Sequence, residues 1–69
     1  MIEVYDHVEV LTYYVNTSDL LWIKKQFSGG TATVENYLVT FKYKTGDELI
    51  LNLTNTQLVK IIDKINPVE

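Results

Sequence analysis

Sixty-nine residues, 46% of them apolar and 22% charged, make a single globular domain, too hydrophobic for a disordered chain and too short for two cores. With no cysteine there is neither a disulfide staple nor a thiolate metal site. Six lysines, no arginine and nine acidic residues leave a formal charge of −3, a field that repels polyanions and lacks the forked guanidinium suited to phosphate and guanine.

The N-terminal run IEVYDHVEVLTYYV alternates. Ile2, Val4, Val8 and Val10 share one parity and Glu3, Tyr5, His7 and Glu9 the other, the period of a half-buried strand. Asp6-His7 is a point where one strand could bend or two could join, and the pattern leaves both open. Acidic residues occupy the place of a secretory signal's basic region, and no segment approaches the roughly 20 apolar residues of a membrane span. A soluble, cytoplasmic chain is the expectation.

The segment SDLLWIKKQFSGG reads as a short helix. Thr17 or Ser18 would cap its start, Asp19 would favour the positive end, and Gly29 or Gly30 would stop it. Leu20, Ile23 and Phe27 then fall on one stripe, with Leu21 to one side and Trp22 most of the way round the back. About ten residues of helix are not stable alone in water and must be held by packing.

In TATVENYLVTFKYKTGDELILNLT, Tyr37, Val39, Phe41 and Tyr43 alternate with polar residues, and so do Leu49, Leu51 and Leu53. A two-residue turn would pair these sets with opposite faces. A three-residue loop, Lys44-Thr45-Gly46, with Gly46 left-handed, sets Phe41 opposite Leu49, Val39 opposite Leu51 and Lys42 beside Glu48. Val34 breaks the parity, so Glu35-Asn36 is a candidate bulge. The other face, with Leu38, Thr40, Lys42, Ile50 and Asn52, is mixed and suits solvent. A second helix begins at a Thr54/Gln57 capping box and presents Leu58, Ile61, Ile62 and Ile65, with Pro67 as its stop. The predicted fold is a single α+β domain over residues 1–69, in the order β-α-β-β-α, with both helices on one face of an antiparallel three- or four-stranded sheet.

Catalytic chemistry finds little material. SGGT follows an expected helix, whereas phosphate loops precede one. His7 and Glu9 share a strand face, but a closed metal site needs about four ligands and no others present themselves. Glu3, Asp6 and Glu9 read as solvated strand charges. The chain is therefore expected to be non-enzymatic, with no catalytic residues, metal or cofactor.

Binding to another protein, or to a second copy, is the reading that remains. Trp22 and Leu21, off the core stripe, and Tyr5, Tyr13 and Tyr14, outside the core pattern, are the candidate contact residues, because large aromatic side chains anchor interfaces. Composition free of arginine and rich in lysine, isoleucine and asparagine is similar to that of small proteins from AT-rich bacterial or phage genomes, where a regulator or inhibitor would fit. Two alternatives stand beside this: a single-strand nucleic-acid binder using Lys42, Tyr43 and Lys44, and a purely structural subunit.

Overall fold

The structure, a computed structural model, describes residues 1–65. Two antiparallel strands come first, β1 (Ile2–Asp6) and β2 (Leu11–Val15). A 3-10 turn at Thr17–Asp19 leads into a three-stranded antiparallel meander, β3 (Leu20–Gly30), β4 (Glu35–Tyr43) and β5 (Glu48–Thr54). Helix α1 (Asn55–Ile65) follows directly. Among the described residues the class is α+β, with sheets of two and three strands and one helix rather than the two expected.

The largest correction falls on residues 18–30. Helical spacing of Leu20, Ile23 and Phe27 is outweighed by pairing: Ile23 lies opposite Phe41, Lys25 opposite Val39 and Phe27 opposite Tyr37. The capping signal is real but short. It comes from Asn16, whose Oδ1 accepts from the Ser18 N–H, and serves a single 3-10 turn of three residues. Gly29 and Gly30 end a strand instead of a helix. Gly30 sits at the entrance to the β3–β4 turn, where a Cβ would stand 2.2 Å from the Val34 carbonyl oxygen. The parity break also moves: the pairing skips Ser28 on β3, between Phe27 and Gly29, and Val34 belongs to the turn, so Glu35-Asn36 is regular strand.

The N-terminal run is two strands joined by His7 to Val10, with Asp6 opposite Leu11. Val8 and Val10 therefore leave the buried parity; they are exposed in the loop, and Val10 takes a left-handed φ of 59°. Asp6 makes that loop by accepting from the N–H groups of Val8 and Glu9, both at 2.9 Å.

The second hairpin follows the predicted register. Phe41 pairs with Leu49, Val39 with Leu51 and Lys42 with Glu48, with Gly46 at φ 101°. Lys42 and Glu48 form an ion pair at 3.3 Å. The capping box also forms: Thr54 N–H donates to Gln57 Oε1 (3.0 Å), and Gln57 N–H to Thr54 Oγ1 (3.3 Å). Leu58 and Ile61 are buried, but Ile62, expected in the core, is 43% exposed. Pro67 lies outside the described residues.

Val4 and Val15 of the first hairpin, Val39, Phe41, Leu51 and Leu53 of the sheet, and Leu58 and Ile61 of α1 make one core. The hairpin and α1 thus share the apolar face of the meander. On the opposite face Ile50 is exposed, as expected, but Thr40 is buried because it lies on the central strand between Lys24 and Ile50.

Candidate functional site

The two edges of the meander are treated differently. In an antiparallel ladder the backbone groups of successive residues point alternately to one neighbour and the other. Along β5, Asn52 points outward, and both its groups are taken: its N–H donates to Asp6 Oδ2 (3.0 Å) and its carbonyl accepts from His7 Nδ1 (3.0 Å). Side chains of the first hairpin thereby cover this edge at Asn52. Nδ1 must carry the proton, since a carbonyl only accepts.

The β3 edge has no such cover. The Tyr43 N–H donates to the Asp47 carbonyl, so Tyr43, Phe41, Val39 and Tyr37 address β5, and Lys42, Thr40 and Leu38 address β3. Their partners Trp22, Lys24 and Gln26 use their backbone groups inward, which leaves those of Ile23, Lys25 and Phe27 pointing away from the sheet. Among the described residues no strand pairs there. An open edge of this length is a template for another strand.

Beside this edge, between β3, β4 and α1, lies a groove of ≈ 380 Å³. Its apolar lining is Ile23, Tyr37, Leu58, Val59 and Ile62, with Lys25 and Asp63 among its charged residues. The exposure of Ile62 and Val59 is explained by this groove. Phe27 meets Tyr37 edge-to-face at 5.8 Å, and Lys25 Nζ stands 4.8 Å from the Tyr37 ring centre. The Tyr37 hydroxyl donates to Glu35, a bond that, with burial and the nearby charge, raises its pKa and keeps the phenol neutral.

The residues singled out from sequence separate into two places. Trp22 (40% exposed) and Leu21 (60%) are on β3, at the irregularity between Leu20 and Trp22; the indole lies on the face away from the core, with Lys24 Nζ 5.5 Å from its centre. Tyr5 and Tyr14 are exposed on the outer face of the first hairpin, beyond the β5 edge. Tyr13 turns inward opposite Val4 and packs against the core, its hydroxyl donating to Glu9 at 3.2 Å. The tyrosines and Trp22 therefore do not form one surface. Of the nucleic-acid set, Lys42 is paired with Glu48, Tyr43 packs at the core margin and Lys44 is exposed in the turn.

Sequence reasoning missed the β3 edge. The signal was present in Ile23, Lys25 and Phe27, which alternate with Lys24 and Gln26, followed by a glycine pair that suits a hairpin as well as a helix stop. Among the described residues, no three His, Asp or Glu side chains are grouped to hold a metal, and no helix is long and apolar enough to cross a membrane. The chain matches no known protein family, no curated protein and no solved structure.

Proposed function

We propose that this is a protein-binding domain that works by accepting an extended segment of another polypeptide along β3. The observation that carries the reading is the difference between the two sheet edges: one covered at Asn52 by Asp6 and His7, the other open through Ile23, Lys25 and Phe27. Strand addition draws affinity from main-chain hydrogen bonds and specificity from alternate side chains, and the groove between β3 and α1 lies where those side chains would point. Exposed Leu21, Trp22 and Phe27 supply apolar and aromatic area along the same strand. A regulator or inhibitor of a partner protein, non-enzymatic and acting by occupying a surface, fits this design.

The test separates the edge from the charge on it. Lys25→Pro removes an outward N–H and leaves the β3–β4 ladder intact, since proline is tolerated on an edge strand when its nitrogen faces away from the sheet. Lys25→Gln removes only the charge. Capture of a partner from lysate should survive in the Gln variant and fall at least about ten-fold further in the Pro variant, as loss of a main-chain bond and steric blocking require. Equal capture by the two would place the interface elsewhere.

A further inference from the structure

The β3 edge carries a charge pattern that selects its occupant. Between Leu20 and Gly30 there is no acidic residue, and Lys24 and Lys25 stand together in mid-strand. In a protein of net charge −3 this is a local reversal of sign. The single ion pair among the described residues joins Lys42 and Glu48, so within them neither Lys24 nor Lys25 has a carboxylate partner. Their ammonium groups instead lie near aromatic rings, Lys24 by Trp22 and Lys25 by Tyr37.

These lysines count against a second copy as the occupant. The two-fold register that pairs the whole of β3 with another β3 is centred on Lys25 and sets that residue against itself. Like charges directly opposite one another destabilise a strand pair, and lysine on an edge strand is a recurrent device against self-pairing. A different polypeptide bearing carboxylates at those positions meets the opposite situation.

Resting on the strand-addition reading, we infer that β3 takes an extended acidic segment of another protein in which two adjacent carboxylate residues precede an apolar one. In an antiparallel addition, the first carboxylate lies opposite Lys25 on the groove side and the second opposite Lys24 on the outer side. The apolar residue then falls opposite Ile23, pointing toward the groove walled by Leu58, Val59 and Ile62. Asp63, also on that wall, disfavours further carboxylates on the groove side, which limits the acidic stretch to a short patch.

The probes are three ten-residue peptides of alternating threonine and valine that differ at the centre: two glutamates then a leucine, two lysines then a leucine, or two glutamines then a leucine. Binding is read from backbone amide shifts of the labelled protein and from calorimetric titration. The acidic peptide should bind at least about ten-fold more tightly than the lysine peptide and shift the amides of Ile23, Lys25 and Phe27, and Lys24→Glu with Lys25→Glu should invert the preference. Equal binding of all three at β3 would overturn the acidic class and leave strand addition standing. Shifts confined to residues outside β3, or no binding by any of them, would overturn both. A concentration-dependent dimer of the protein alone that protects the Ile23, Lys25 and Phe27 amides would make a second copy the occupant and overturn the inference.

Discussion

Asp6 has no exposed surface, yet its carboxyl is held below the ordinary 3.8. Burial by itself pushes the pKa up; hydrogen bonds from the Glu9 and Asn52 N–H groups, the Asn52 amide and the Val8 N–H outweigh it. Because the folded pKa is depressed, the unfolded chain binds the proton more readily, so this contribution is present above about pH 4 and lost as pH falls below 3.8 through the folded pKa. Asp6→Ala should cost about 1–3 kcal/mol at neutral pH by stranding the N–H groups it serves, and should flatten the acid limb of stability. Urea melts at neutral pH and at about pH 3 check both, and an unchanged acid limb would show that other carboxylates govern it. Trp22 poses the opposite case. Its indole is 40% exposed on the outer face of an edge strand, so Trp22→Ala should change monomer stability by less than about 1 kcal/mol. A loss of about 3 kcal/mol in the melt would make the indole a core group and remove it from the binding surface.

The β4–β5 hairpin was legible because turn chemistry and side-chain parity allow only one joint solution. Its loop residue Gly46 has φ 101° with open space around its Cβ position, so the cost of Gly46→Val is backbone strain alone, about 1–2 kcal/mol or more. A melt within a few tenths of wild type would show that the loop has rearranged. In α1 the apolar stripe was legible but not its rotation. Ile61 is 6% exposed and Ile62 43%, so Ile61→Ala should cost about 2–5 kcal/mol and Ile62→Ala well under that. Equal losses would mean that the helix is turned toward β3. Residues 18–30 misled because an interval of three or four residues between apolar groups fits a helix, while Ile23 and Phe27 also satisfy the period of a strand, as does Leu20 once Leu21 is allowed as a bulge. With only about ten residues between signals, local preference does not choose between them, and the neighbour strand does.

As a whole, the described residues form a small core shared by two sheets and one helix, and β3 is paired with β4 alone. Hydrogen exchange should report that asymmetry. Amides of Trp22, Lys24 and Gln26, turned toward β4, should exchange slowly, and those of Ile23, Lys25 and Phe27, turned to solvent, quickly. Addition of a binding peptide should slow the second set only. Uniform exchange along β3 would indicate that the strand frays as a unit or that its alternation is reversed.

Elements whose signals are local were readable from the chain: the Lys44-Thr45-Gly46 loop, the Thr54/Gln57 box, and the apolar parity of β4 and β5. Each depends on residues within a few positions of one another, where backbone sterics and capping bonds act directly. The candidate site was not readable in that way. That the edge at Asn52 is closed follows from Asp6 and His7, more than forty residues earlier in the chain. That the β3 edge is open follows from β4 using only one side of Trp22, Lys24 and Gln26. Which backbone groups remain unpaired depends on how distant segments pack, and the side-chain pattern of a single strand does not encode that.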